Sequence, residues 1–349
     1  TPNPKPQTPN PKPQTPDQFN TKVKIILERT RVIINLWMGL VSFIFKLFVL
    51  YFFGRILYWI YSRVRQLYFL RPVNLAERYG KNSWAVVTGG SEGIGLAISK
   101  HLAKSGFNIA IIARNLQKLE AAKKALNSIN ELIEVKIISA DFAESHKAEF
   151  FDGIKQRLEG LDISILVNNV GVSYIKEPKQ YSVKECRDMI VINACSQVGM
   201  TKLLLPGMMK RKQRSAMIDL SSSAAVSPMP LFPVYSGTKS INEFLSKGLS
   251  TYVPNVDILC VQPGVVSTSM TQNRTVGTGG LFLKVCSVED CVAGIFKNLG
   301  SMQSTFGAFW HDCVFPLNRV LTLLTPRDLL MPLVSKFPEA TNVEAWNPQ

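Results

Sequence analysis

The sequence predicts an α/β protein, a doubly wound parallel sheet with an N-terminal membrane helix, and three observations carry that reading. From Trp84 onward, short apolar runs alternate with longer polar-apolar stretches. A glycine-rich turn joins the first apolar run to the first helical pattern. A long and nearly uncharged apolar stretch precedes both. The alternation is that of β-α-β units, in which strands are buried on both faces and each crossover is a helix.

Taken in order, residues 1–21 form a proline-rich arm. TPNPKPQ is repeated directly over residues 1–14, and alternate prolines remove amide donors and favour an extended, disordered chain. The chain begins at Thr1 and not at methionine, so a processed terminus or missing upstream sequence is expected. Residues 22–71 form a membrane-anchoring helical segment. Val32 to Tyr61 is interrupted only by Lys46 and Arg55, and the run to Phe53 is long enough to cross a hydrocarbon core of about 30 Å. Lys46 costs roughly 2.5 to 3.5 kcal/mol near the bilayer centre, so a tilted span and a partly inserted, in-plane helix both stay open. Tyr58, Trp59 and Tyr61, followed by Arg63, Arg65 and Arg71, resemble an interfacial belt. Basic residues also precede the segment (Lys22, Lys24, Arg29, Arg31), so its orientation is not fixed by charge.

Residues 72–311 form the nucleotide-binding domain. Strands are predicted at Trp84–Thr88, Asn108–Ala113, Val135–Ser139, Ile163–Asn168, Ala216–Leu220, Val256–Val261 and Gly307–Trp310. Residues 312–349 form a C-terminal amphipathic extension. Its apolar part, Val314 to Lys336, is expected either to cap the substrate pocket or to rest on a membrane surface.

The formal charge of +15 suits nucleic acid, anionic lipid or an acidic ligand such as a phosphorylated cofactor or a CoA ester. The basic residues are spread along the chain and are not interleaved with aromatics in a run, which argues against nucleic acid. The six cysteines are scattered with no CxxC, and the three histidines form no HExxH. Neither a metal site nor a disulfide framework is expected.

Thr88-Gly89-Gly90-Ser91-Glu92-Gly93-Ile94-Gly95 closes the first strand and opens a helix. Glycines here allow a tight turn and close backbone approach to a pyrophosphate, and the helix N-terminus offers amides and a favourable dipole. The second strand ends Ala113-Arg114-Asn115, where dinucleotide sites often place an acidic residue on the ribose 2′-hydroxyl. A cation in place of a carboxylate accommodates a 2′-phosphate, so NADP(H) is the expected cofactor.

Further motifs follow in order. Asn168-Asn169-Val170-Gly171 ends the fourth strand, and Tyr235-Ser236-Gly237-Thr238-Lys239 reads YxxxK with Ser222 thirteen residues upstream of the tyrosine. Pro263-Gly264-Val265-Val266-Ser267-Thr268 follows the sixth strand. With the glycine-rich loop, these motifs make residues from about Trp84 to Trp310 resemble the short-chain dehydrogenases/reductases, which have a Rossmann-type sheet. The resemblance implies a cofactor site at Gly89, Ser91, Gly93, Ile94, Gly95, Arg114, Asn169, Gly171, Tyr235, Lys239, Pro263, Gly264, Val266 and Thr268. It also implies adenine contact by Asp141, although locally Asp141 could equally be a helix cap.

The resemblance implies a catalytic set of Asn193, Ser222, Tyr235 and Lys239, and the chemistry explains the residue types. Hydride addition to a carbonyl creates an alkoxide that needs a proton donor, the role of Tyr235. A free phenol has a pKa of about 10, too high for efficient work near neutrality. Lys239 lies one helical turn on, and its cation favours the phenolate. By resemblance Lys239 also binds the nicotinamide ribose, Ser222 holds the substrate oxygen and Asn193 positions a relay water.

Ile165 to Tyr174, Leu205-Pro206-Gly207-Met208 and Pro228-Met229-Pro230-Leu231 resemble the branch of very-long-chain 3-oxoacyl-CoA reductases and 17-beta-hydroxysteroid dehydrogenases. This implies a membrane-bound ketoreductase acting on a lipid, acyl-CoA or steroid substrate. Basic charge and the membrane segment favour a 3-oxoacyl-CoA of fatty acid elongation over a steroid. The segment between Ser269 and Val288 is expected to face the substrate. The resemblance points to the endoplasmic reticulum membrane, against which the chain ends Ala345 to Gln349 without a dilysine signal; the N-terminal arm and its possible processing leave a mitochondrial membrane as the alternative. A second class of function is a nucleotide-binding structural subunit of a membrane complex, and a homo-oligomer through the long helices is a further expectation.

Overall fold

Strands with apolar residues at nearly every position must be covered on both faces, and the computed structural model shows how this chain does so. It describes residues 16–174, 176, 178–226, 232–271 and 285–315. Most of the proline-rich arm, the Pro228–Leu231 string, most of the segment between Ser269 and Val288, and nearly all of the C-terminal extension lie outside these residues. The chain divides into two compact units, Thr1–Tyr68 and Phe69–Gln349.

In the first unit a single helix α1 (Pro16–Val64) runs 49 residues, about 74 Å at 1.5 Å per residue. Its side chains are exposed along the apolar stretch, Leu36 by 68% and Leu50 by 70%. From Asn20 to Val64 it is long and apolar enough to cross a membrane. A helix this apolar all round is the form that a lipid environment favours.

The second unit opens with the short helix α2 (Leu75–Tyr79), capped by the Asn74 side chain. It continues β1 (Trp84–Thr88), α3 (Gly93–Lys104), β2 (Asn108–Ala113), α4 (Leu116–Asn127), β3 (Val135–Ser139), α5 (Ala148–Leu158) and β4 (Ile163–Asn168). Then come α6 (Val183–Ile190), a π-helical turn at Val191–Cys195, α7 (Ser196–Lys210), β5 (Ser215–Leu220), α8 (Pro233–Tyr252), β6 (Val256–Val261), α9 (Val288–Asn298) and β7 (Ser304–Thr305). The strands form one seven-stranded sheet in the order β3-β2-β1-β4-β5-β6-β7, and every pairing is parallel. The predicted doubly wound sheet is therefore present.

Successive strand side chains point to opposite faces, so two cores form. Ala85, Val87, Ile109, Ile111, Ile165, Val167, Ile218 and Leu259 meet Ile98 and Leu102 of α3, Leu119 of α4 and Ile295 of α9. Val86, Ala110, Ile112, Leu166, Met217 and Ile258 meet Ile154 of α5 and Met200, Leu204 and Met208 of α7. After β3 the chain crosses back over the sheet to β4, which lies on the other side of β1. A crevice therefore opens at the carboxyl ends of β1 and β4, where such sheets bind their ligands.

The last strand differs from expectation. It is Ser304–Thr305, paired with Cys260 and Val261, and not Gly307–Trp310. Gly307 takes a φ of +82°, which ends the extended run. Asp312 then accepts from the Phe306 amide at 2.7 Å, and residues 309–315 are helical. The apolar Ala308-Phe309-Trp310 string thus leads into a helix. The fifth strand also starts one residue earlier than expected, at Ser215.

Candidate active site

The crevice begins with the glycine-rich loop. Gly89 stands at a φ of +63° and its amide donates to the Ile112 carbonyl at 2.7 Å, which holds the loop against the end of β2. Thr88 and Asn169 stitch β1 to β4. Thr88 Oγ1 donates to the Val167 carbonyl at 3.1 Å and accepts from the Asn169 amide at 2.9 Å. Asn169 Nδ2 donates to the carbonyls of Thr88 and Gly89, each at 3.0 Å. A Cβ on Gly95 would strike the Gly89 carbonyl oxygen, so only glycine lets α3 approach this closely.

Helix α3 starts at Gly93 with a φ of +57°, and its N-cap residue Glu92 makes no side-chain cap. The first-turn amides around Ile94 therefore face the crevice uncapped by that residue, the arrangement that receives a pyrophosphate. Ser91 lies in the same loop, half-buried. These features fit a dinucleotide.

Arg114 follows β2 and is exposed, with Asn115 capping α4 by accepting from the Lys118 amide at 2.9 Å. Neither residue is a carboxylate. Asp141 follows β3, and its Oδ1 accepts from the Ala143 amide at 3.0 Å, so it caps the short turn Phe142–Glu144. On the other side of the crevice, the Pro263 carbonyl accepts from the Ser223 amide at 2.9 Å. A Cβ on Gly264 would press on Phe315 and His311, while Val266 bridges to Cys286. Thr268 approaches the glycine-rich loop, its Cγ2 lying 3.6 Å from where a Cβ on Gly93 would stand.

Tyr235 and Lys239 are carried by α8, which opens with Pro233 in its first turn. The Lys239 ammonium lies 5.8 Å from the Tyr235 ring centroid and donates to the Leu220 carbonyl at 2.7 Å. It is fully enclosed, and that burial lowers its pKa to about 8, with the Cys260 thiol pulling weakly the other way. Ser221 Oγ donates to the Lys239 carbonyl at 2.7 Å and is buried, whereas Ser222 is half-buried and accepts from the Ala224 amide at 3.2 Å. Of the two adjacent serines, Ser221 thus holds α8 and Ser222 caps the short turn Ser223–Ala225.

Asn193 sits in the π-helical turn Val191–Cys195, the kind of helix defect that often marks a functional position. Its Oδ1 accepts from the Val172 amide at 2.7 Å, and its Nδ2 donates to the Val172 carbonyl at 2.9 Å and to Thr238 Oγ1 at 3.1 Å. Gly171 completes the cluster. A Cβ there would stand 3.3 Å from Lys239 Nζ and 3.2 Å from Asn193 Oδ1. The sheet therefore gathers Gly171, Asn193 and Lys239 at one point, with Tyr235 one turn away on α8.

Sequence reasoning passed over three contributors. Thr238 ties Asn193 to the Tyr235 carbonyl, to which its hydroxyl donates at 2.8 Å, and its place inside YxxxK was the available signal. The Leu220 carbonyl anchors Lys239, and a backbone acceptor leaves no trace in residue identity. Asp219, a carboxylate in the apolar strand β5, lies fully buried between Asn168 Nδ2 at 2.8 Å and Ser246 Oγ at 2.6 Å. Burial raises its pKa to about 6, although both hydrogen bonds act to lower it.

A family model described as short chain dehydrogenase matches residues 83–278. The very-long-chain 3-oxoacyl-CoA reductase-A of Danio rerio is 34% identical over 265 residues, which are 74% of this chain and 78% of that protein. The 17-beta-hydroxysteroid dehydrogenase type 3 of Danio rerio is 34% identical over 270 residues, 75% of this chain and 84% of that one. Among solved structures, a 7beta-hydroxysteroid dehydrogenase superposes with a TM-score of 0.65 at 19% identity, over 75% of this chain and 100% of that chain, and supports the fold alone. With the sheet order, the glycine-rich loop and the α8 pair, these matches make the chain a member of the short-chain dehydrogenase/reductase family of enzymes.

Proposed function

We propose that the chain is a membrane-bound, NADPH-dependent ketoreductase of a lipid carbonyl, with a 3-oxoacyl-CoA as its substrate. The observation that carries the reading is the cluster of Lys239, Asn193 and Gly171 beside Tyr235, with the Lys239 ammonium buried and aimed by the Leu220 carbonyl. The similarity to the very-long-chain 3-oxoacyl-CoA reductase-A of Danio rerio and the long apolar helix α1 support the substrate class. Arg114 after β2 supports a cofactor bearing a 2′-phosphate.

In this reading Gly89, Ser91, Gly93, Ile94 and Gly95 receive the pyrophosphate, Arg114 the 2′-phosphate and Asp141 the adenine. Asn169, Gly171 and the Pro263, Gly264, Val266 and Thr268 wall hold the nicotinamide half. The hydride comes from the bound dinucleotide. Ser222 hydrogen-bonds the substrate carbonyl oxygen, and the Tyr235 hydroxyl gives that oxygen its proton. The Lys239 cation stabilises the phenolate left behind, and its lowered pKa lets it pass a proton near neutrality. Asn193, fixed by its two bonds to the Val172 backbone, positions the water that returns a proton to the site.

The similarity to the 17-beta-hydroxysteroid dehydrogenase type 3 of Danio rerio favours a keto-steroid as the second substrate to examine. NADPH oxidation by the detergent-solubilised chain, with a long-chain 3-oxoacyl-CoA and with a keto-steroid, separates the two. Turnover of the thioester that is lost in Tyr235→Phe is expected, and turnover of neither compound would overturn the reading. The family resemblance alone suggests the endoplasmic reticulum membrane, which co-localisation of the tagged chain with reticular and mitochondrial markers tests.

A further inference from the structure

A charged cluster lies between the glycine-rich loop, the turn after β2 and the Thr268 segment. Lys118 stands in the first turn of α4, where its amide donates to the Asn115 cap at 2.9 Å, so its side chain rises from the turn that begins at Arg114. Its ammonium reaches back to the glycine-rich loop and lies 3.2 Å from both carboxylate oxygens of Glu92. Glu92 in turn accepts from Ser269 Oγ at 3.2 Å, one residue beyond Thr268. The ammonium therefore spans the gap between the loop after β1 and the turn after β2. These two segments are held together by the bond from the Gly89 amide to the Ile112 carbonyl.

Both partners are about half exposed, Lys118 by 53% and Glu92 by 49%. A pair this exposed gains little, because solvent screening and the ordering of two long side chains offset the Coulomb attraction. A phosphate monoester carries up to twice the charge of a carboxylate and offers three acceptor oxygens. Transfer of Lys118 from Glu92 to a phosphate at the Arg114 turn thus gives up a weak contact for a stronger one, with the stem already pointing across the gap.

We propose that Lys118 is a second cofactor-specificity residue: with Arg114 it makes a two-cation clamp for the 2′-phosphate of NADP(H), and Glu92 holds its ammonium in place between binding events. The proposal rests on the reading of NADP(H) as the cofactor. Glu92 then has a cost for affinity, since its carboxylate competes for Lys118 and repels the incoming phosphate.

The test is the Kd of NADPH and of NADH for the detergent-solubilised full chain, followed by the fluorescence of the bound nicotinamide. Wild type favours NADPH. Lys118→Met weakens NADPH by about tenfold, the size of one hydrogen bond to a charged group, and leaves NADH within about twofold. Lys118→Arg keeps most of the preference. Glu92→Gln tightens NADPH by about threefold and leaves NADH unchanged. A wild type that favours NADPH, with a Lys118→Met chain that favours it equally, overturns the role of Lys118 and leaves the cofactor reading standing. Equal loss of both nucleotides in Lys118→Met also overturns the role, and a wild type indifferent to the 2′-phosphate overturns both.

Discussion

Replacing Lys239 with methionine is expected to stabilise the cofactor-free protein while it abolishes turnover. The folded chain encloses the Lys239 amine completely, and burial brings its pKa from 10.5 to about 8. At 1.36 kcal/mol for each pH unit, holding the charged form there costs about 3 kcal/mol. The folded pKa is depressed for a base, so the cost is fully present below pH 8. It is lost as pH rises towards the value of the unfolded chain. Methionine has a similar apolar stem and no charge, but it removes the 2.7 Å bond to the Leu220 carbonyl. That loss returns about 1 to 2 kcal/mol. The net expectation is a gain of about 1 to 2 kcal/mol at pH 7 that shrinks by pH 10. Urea unfolding of the detergent-solubilised chain, followed by tryptophan fluorescence at both pH values, measures it. A variant that is less stable than wild type at pH 7, or a difference that does not shrink with pH, would refute the reasoning.

Other expectations follow from the same geometry. Asp219 has a folded pKa raised to about 6, so stability falls as pH rises from about 4 to 6 and stays lowered above that window. Asp219→Asn keeps both neighbours as partners, Asn168 Nδ2 as donor and Ser246 Oγ as acceptor, and is expected to flatten the unfolding midpoint across pH 4 to 6. Gly95→Ala drives a methyl into the Gly89 carbonyl, and is expected to cost about 1 to 3 kcal/mol and to abolish nucleotide binding, read by calorimetric titration. Thr238→Val removes the acceptor of Asn193 Nδ2 and the donor to the Tyr235 carbonyl, and should lower kcat by about tenfold with KM for NADPH within about twofold. Alkaline carbonate extraction should leave the chain in the membrane pellet, as α1 demands if it inserts; release into the supernatant would contradict an integral anchor.

Much of the fold could be read from the residues, because strands buried on both faces write themselves as apolar runs. β1, β2, β3, β4 and β6 lie where the runs Trp84–Thr88, Asn108–Ala113, Val135–Ser139, Ile163–Asn168 and Val256–Val261 stand. The seventh strand escapes such a reading, since Ser304–Thr305 is short and polar, while the apolar residues just after Gly307 are turned into a helix by that glycine and the Asp312 carboxylate. Motif spacing was enough to put Tyr235 and Lys239 one turn apart, because four residues in a helix make nearly one turn. It could not show that Lys239 is buried against a backbone carbonyl, or that Asn193 lies in a π-helical turn, because both depend on packing from distant strands. Asp141 illustrates the reverse: its local reading as a cap describes what its Oδ1 does in this structure.

The most direct measurement is isotope transfer. The detergent-solubilised chain, given NADPH deuterated at the transferring carbon and a long-chain 3-oxoacyl-CoA, is predicted to form a 3-hydroxyacyl-CoA carrying one deuterium at C3. Tyr235→Phe is predicted to bind NADPH and form almost none of it. Undeuterated thioester from the wild type, or equal labelling by wild type and Tyr235→Phe, would contradict the proposed reduction and the role of Tyr235 in it.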